Sequence, residues 1–185
     1  MEFCKIRWFL RTSITKFLYG KIGEKTYIGP TSLVQNRKKL FLGNNVHIYP
    51  GMRADTVLDD AEIHIGDNCS IAQNFHIVSY SGILNIGADT TVSANVFISN
   101  VNHEYSKIDQ HILKQNMLYS HTAIGENCFI GYGAVIIPGT VLGRQCIVGA
   151  NSVVKGVYPD YCVIAGVPAR IIRRYNFQTE EWEKV

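Results

Sequence analysis

The 185-residue chain predicts an all-β solenoid, with short parallel strands wound as stacked triangular coils around one core. Three observations lead there. Aliphatic side chains recur every sixth residue: Ile124, Ile130, Ile136, Leu142, Val148 and Val154, with the same beat at Ile65, Ile71, Ile77 and at Ile86, Val92, Ile98. The next residue is usually small, as in "IGDN", "IGEN" and "VGAN", and four positions after the aliphatic one stands a compact residue: Cys69, Thr90, Cys128, Ala134, Thr140, Cys146, Ser152. Third, ten glycines lie between residues 82 and 166, each of which would cost about 1 kcal/mol inside a helix. A helical stripe recurs at three and four, and an ordinary antiparallel sheet alternates with period two. Period six instead suits short strands joined by regular corners, three strands to a coil, with Gly and Asn supplying corners where φ is positive.

Composition agrees with one soluble domain. Hydrophobic residues make up 46% and charged residues 18%, and net charge is only +3, so nucleic acid is not an expected partner. The charge is uneven: residues 1–25 hold six basic and two acidic side chains, net +4, and the remainder is net −1. No apolar run approaches the ~20 residues that span a bilayer, and "IRWFL" is too short and too charged for a secretory signal. A cytoplasmic protein is expected. Four cysteines fall at or near the compact position and lack CxxC spacing, so they read as small buried side chains.

Taken in order, residues 1–20 read as a basic amphipathic helix or capping segment. A solenoid end exposes an apolar cross-section that something must cover; the sharper alternative is peripheral contact with the inner face of a membrane. Residues 21–168 form the solenoid, its beat fainter at Ile28, Leu42 and Ile48. It stretches to nine residues between Ile77 and Ile86, at "SYSG", and to 26 between Ile98 and Ile124. The second break, residues 99–123, reads as a loop extruded from a rigid scaffold, a common place for function. Residues 169–185 read as a tail with a short helix capped by Thr179.

His103 stands at the start of the extruded loop, in "ISNVNH". The residues alone leave a solvated loop histidine open beside a catalytic one. His47 and His64 read as surface or partly packed within the repeats. Spacings of 8 from His103 to His111 and 10 from His111 to His121 do not fit a three-histidine zinc site, and no metal is expected.

The run "IGENCFIGYGAVIIPGTVLGRQCIVGANSVVKGVYPDYCVIAGVPARIIRRY" resembles the hexapeptide-repeat acyltransferases, which fold as left-handed parallel β-helices. The likeness covers about residues 20–175. It is strongest to the maltose, galactoside and xenobiotic O-acetyltransferases and to the acetyltransferases of O-antigen and capsule clusters. Phe129 stands where many members carry Trp, and Tyr132 where many carry a small residue.

The resemblance implies acetyl-coenzyme A as co-substrate and a sugar, free or lipid-linked, as acceptor. It implies His103 as general base, since a sugar hydroxyl is a poor nucleophile near neutral pH and imidazole titrates there. Ala150 is expected along the pantetheine arm, with Lys155, Arg170 and Arg173 near the nucleotide phosphates, and Asn74 and His76 toward the acceptor. A homotrimer with sites between subunits is likewise implied. The expected activity is O-acetylation of a lipopolysaccharide, O-antigen or capsule precursor. The alternatives are a xenobiotic or free-sugar acetyltransferase and a non-catalytic binding or assembly protein.

Overall fold

The computed structural model describes residues 2–185. From Lys21 onward the chain winds as a left-handed parallel β-helix of about six turns. Its three faces are a seven-stranded sheet beginning at Lys21–Ile22, a nine-stranded sheet beginning at Tyr27–Ile28, and a six-stranded sheet beginning at Leu33–Val34. Each turn contributes one strand to each face, in that order.

The six-residue beat is the core itself. Ile65, Ile86, Ile124 and Leu142 stack on the first face. Ile71, Val92, Ile130 and Val148 stack on the second, and Ile77, Ile98, Ile136 and Val154 on the third. All are buried, as are Cys69, Cys128, Cys146 and Cys162 at the compact position. Each strand points one or two aliphatic side chains inward, and parallel register lays like upon like, so the coils share one continuous apolar column.

The corners use Asn as the repeat requires. Asn45, Asn68 and Asn127 at the first corner, and Asn74, Asn95 and Asn151 at the second, all have φ between +55° and +60°. Their side chains bond from coil to coil. Asn45 Nδ2 donates to Asn68 Oδ1 at 3.1 Å, and Asn68 Nδ2 to Asp89 Oδ1 at 3.0 Å. The left-handed conformation costs Asn little, and the amides of Asn45, Asn68, Asn74 and Asn95 each gain a partner in the next coil.

Extra length leaves at the third corner. Residues 57–61 bulge there, an excursion the periodicity did not reveal; residues 80–82 bulge above them, as "SYSG" predicts. Leu58 N–H donates to Tyr80 O at 3.0 Å, and Asp60 accepts from Ser81 Oγ at 2.6 Å, which holds its carboxyl below the usual value. The long insertion follows in the next coil.

Helix α1, Glu2–Thr15, lies across the first strand of the second face. The C-terminal tail differs from expectation. It is an antiparallel extension, Ala169–Asn176 and Glu181–Lys184, added to Cys162–Gly166, with no helix. Asn176 Oδ1 accepts from Gln178 N at 2.8 Å, and Glu180 has φ +56°, so the "QTEE" segment turns a hairpin instead of starting a helix. The open edge of the last coil offers strand pairing, and the Tyr175–Trp182 ring contact at 5.5 Å supports it; both favour a strand over the weak local helix signal.

Candidate functional site

The insertion is a β-arm. Strands Val101–His103 and Met117–Tyr119 pair antiparallel, His103 opposite Met117. Beyond them Gln115 closes the tip: its Nε2 donates to Lys107 O at 3.1 Å and Gln110 O at 3.0 Å, while its Oε1 accepts Lys107 N–H at 3.1 Å.

The root of the arm is rigid. Asn100 is fully buried; its Oδ1 accepts Tyr80 N–H at 2.7 Å, and its Nδ2 donates to Ser81 O at 3.0 Å and Ser79 Oγ at 3.3 Å. Thr122 holds the returning strand, donating to Ser99 O and accepting Gly139 N–H, both at 3.1 Å. Asn100 and Thr122 were missed by the sequence reading, because neither sits on the aliphatic beat. Their only signal was position, one at each end of the break.

His103 is thus carried on the first arm strand, exposed, three residues from a buried anchor. The arm leaves the third face directly after Ser99. Ser99 registers with Val78, and Val78 with Asp55, so one column of that face leads to the arm. In the neighbouring column His76 lies between Arg53 and Phe97. His76 Nε2 is 3.1 Å from Asp55 Oδ2, which also accepts Arg53 Nε–H at 2.8 Å. Asp55 is 7% exposed and its Oδ1 has no partner. That buried carboxylate oxygen is an unsatisfied acceptor beside His76. The sequence reading named His76 and passed over Asp55.

Asn74, expected toward the acceptor, bonds along a corner. Its Nδ2 donates to Asn95 Oδ1 at 3.0 Å, and Asn95 Nδ2 continues to Tyr132 Oη at 2.6 Å, so the side chain belongs to a corner ladder. Its Oδ1 lies tight against Gly51, where a Cβ would collide with it. His47 and His64 lie on strands. His47 stacks on Tyr27 at 4.5 Å, and burial, followed by Lys5, lowers its pKa. His64 meets Glu62 at 2.8 Å. His111 Nδ1 accepts Leu113 N–H within the arm at 3.2 Å.

The four residues expected to bind coenzyme A gather on the last coils. Gly149 packs so close to Ala165 that a Cβ would sit 3.0 Å from it, and Ala165 pairs with Arg170, which brings Ala150 and Arg170 to one corner. Tyr158 Oη donates to Lys155 O and Ala169 O, each at 3.2 Å, and so ties Lys155 to the start of the same hairpin. Arg173 pairs with Val163, and the register shifts between Val163 and Ile164. That bulge matters: side chains three apart on a regular strand point to opposite faces, whereas here Arg170 and Arg173 oppose Ala165 and Val163 on one face. Among the described residues, none of these three cations is in an ion pair, and no cluster of three or more His, Cys, Asp or Glu could hold a metal.

The comparisons with known proteins bear on this geometry. The hexapeptide repeat of succinyl-transferase matches residues 121–155. WbbJ of Escherichia coli K12, named as a lipopolysaccharide biosynthesis O-acetyl transferase, is 35% identical over 158 residues, covering 82% of this chain and 80% of WbbJ. The chain belongs to the hexapeptide-repeat acyltransferases. The galactoside O-acetyltransferase of Escherichia coli K12, another relative, is 31% identical over 170 residues, covering 90% of this chain and 69% of that one. A solved galactoside acetyltransferase in complex with coenzyme A is similar at TM-score 0.57 and 27% identity, covering 95% of this chain and 76% of that one. AntD of Bacillus cereus, an N-acyltransferase solved with dTDP and coenzyme A, shares the fold at TM-score 0.71 and 21% identity, covering 91% of each chain. As a hexapeptide-repeat acyltransferase the chain is an enzyme, and the non-catalytic alternative falls away.

Proposed function

We propose that this acyltransferase moves acetyl from acetyl-coenzyme A to a hydroxyl of a sugar in a surface-polysaccharide precursor, with His103 as general base. The observation that carries the reading is the anchored arm. It holds His103 exposed while fixing its backbone at Asn100, which suits a base that must meet a substrate in one geometry. A neutral ring nitrogen takes the hydroxyl proton as the oxygen attacks the thioester carbonyl. Collapse of the tetrahedral intermediate breaks the C–S bond, and the imidazolium returns the proton to the leaving thiolate. Backbone N–H groups at solenoid corners are the proposed oxyanion donors.

Coenzyme A fits the far coils. Lys155, Arg170 and Arg173 present three unpaired cations for its phosphates, and Ala150 leaves the corner low for the pantetheine. The arm leaves two coils before Ala150 and Lys155 and three before Cys162–Gly166, about 10 to 14 Å along the axis at the usual strand spacing, a distance suited to an extended pantetheine. Asp55 and His76 are proposed on the acceptor side, with Asn74 supporting the corner. The arm exposes Tyr105, Ile108, Leu113 and Leu118, more apolar surface than a free hairpin should show. We take a homotrimer, in which the arm reaches a neighbouring copy, as the working assembly, and the cytoplasm, where acetyl-coenzyme A is made, as its place.

The likeness to galactoside O-acetyltransferase favours one second reading, a free-sugar acceptor. Thioester consumption with nucleotide sugars, lipid-linked glycans and free galactosides separates the two. Turnover on precursors supports the first reading, turnover confined to free galactosides the second, and none on any sugar overturns both.

A further inference from the structure

Helix α1 is mounted inside out. Lys5, Trp8, Thr12 and Thr15, at helical spacings of three and four, face the solenoid. Thr12 is 2% exposed and its Oγ1 accepts Ile28 N–H at 3.0 Å. Arg11 Nη2 donates to Ile28 O at 2.6 Å and Gly29 O at 2.9 Å. These bonds satisfy the peptide groups of the first, unpaired strand edge, and they also fix the roll of the helix. Trp8 packs on Tyr27 and Tyr49, ring centroids 6.0 and 6.3 Å away, and Lys5 Nζ lies 5.5 Å from the Tyr49 ring.

The opposite side is apolar. Phe3, Ile6, Leu10, Ile14 and Phe17, again at spacings of three and four, are 89%, 56%, 56%, 73% and 68% exposed. A helix serving only as a lid would turn this stripe inward, because burial is where apolar side chains gain stability. Here the inward side is held by polar bonds and the stripe is presented outward, in line with the following turn, whose Phe17 O is gripped by Lys38 Nζ at 2.6 Å.

The charge of the segment that carries the stripe identifies its occupant. Arg7, Lys16, Lys21 and Lys25 are exposed and, among the described residues, form no ion pair. A second copy docked stripe to stripe would set this net +4 segment against its own like charge. A neutral apolar partner would leave the cations unused. An anionic lipid surface satisfies both features at once: side chains enter the acyl boundary while the cations meet headgroups. With 14 residues the helix is about 21 Å long, and no helix among the described residues is long and apolar enough to cross a membrane, so it lies in the surface.

We propose that α1 is an interfacial anchor that docks the enzyme on an anionic bilayer through Phe3, Ile6, Leu10, Ile14 and Phe17. The proposal goes beyond the acetyl-transfer reading and is tested without turnover, so either can fail alone.

The test is co-sedimentation of the full-length protein with vesicles of phosphatidylcholine alone and of phosphatidylcholine with phosphatidylglycerol. Binding to the anionic vesicles at least about tenfold tighter than to neutral ones, and weakened by salt, is expected. The triple variant Ile6→Ser/Leu10→Ser/Ile14→Ser should lose that binding by about tenfold or more while keeping its β-rich circular dichroism and its turnover on a soluble acceptor. Arg7→Gln/Lys16→Gln should remove the preference for anionic lipid. No vesicle binding by the native chain, or unchanged binding by the triple variant, overturns the proposal. So does a triple variant whose main change is a smaller assembly in sedimentation velocity, which would make the stripe a contact between copies.

Discussion

The side-chain oxygen of Asn100 accepts the backbone N–H of Tyr80 at 2.7 Å, joining the root of the arm to the bulge of the preceding coil. Through this bond and the two donated by Nδ2, one buried amide holds the point where the strand carrying His103, three residues later, leaves the solenoid. With His103 as the proposed base, stability and catalysis meet at Asn100.

Asn100→Ala is expected to destabilise the fold by about 2–3 kcal/mol, since it strands a buried N–H and a carbonyl. Turnover should fall further than acetyl-coenzyme A affinity, because the phosphate end lies coils away. Denaturant midpoints and steady-state kinetics check this; a fully stable, fully active variant would remove Asn100 as the anchor.

The shared outward face of Arg170 and Arg173 predicts a charge-specific effect. Arg170→Ala or Lys155→Ala should weaken coenzyme A more than dephospho-coenzyme A if the side chain meets the 3′-phosphate. Calorimetry with both ligands reads the difference. Equal weakening places the contact elsewhere on the cofactor, and no weakening returns these residues to solvent.

Removing residues 105–118 should abolish activity and weaken the proposed trimer while leaving the stacked coils folded, because the core columns lie entirely outside the arm. Sedimentation velocity and circular dichroism report the two effects separately. A fully active monomer at micromolar concentration would contradict a site shared between subunits.

The thiols predict a simple titration. Of five cysteines only Cys4 is exposed, so one thiol per chain should react quickly with a disulfide reagent and four only on unfolding. Burial pushes Cys69 up from 9.0 to about 11. Above pH ~9 the unfolded thiol ionises first, so the native state loses stability as pH rises toward 11. Cys69→Ala should flatten that part of the pH–stability curve.

The sequence made the solenoid legible because each period-six aliphatic residue has one job, stacking in a column, and the register fulfils it from Ile65 to Leu142 and from Ile77 to Val154. The breaks in the beat located the bulge at 80–82 and the arm. What was illegible depended on partners far along the chain. Asp55 gains meaning only from His76, 21 residues away, and Asn100 only from the Ser79–Ser81 bulge. The tail read as a helix because Thr179, Glu180 and Glu181 imitate a helix start, whereas the open edge at Cys162–Gly166 recruited it as strands. Arg170 and Arg173 were picked out together, but the bulge that puts them on one face leaves no signature in residue types.

The most direct test is the kinetics of His103→Ala alongside its affinity for acetyl-coenzyme A. With imidazole as the base that takes the hydroxyl proton, turnover should fall by ~10²–10⁴-fold while coenzyme A binding and the melting temperature stay close to those of the native enzyme. Turnover unchanged from the native enzyme would contradict the account and remove His103 from the reaction.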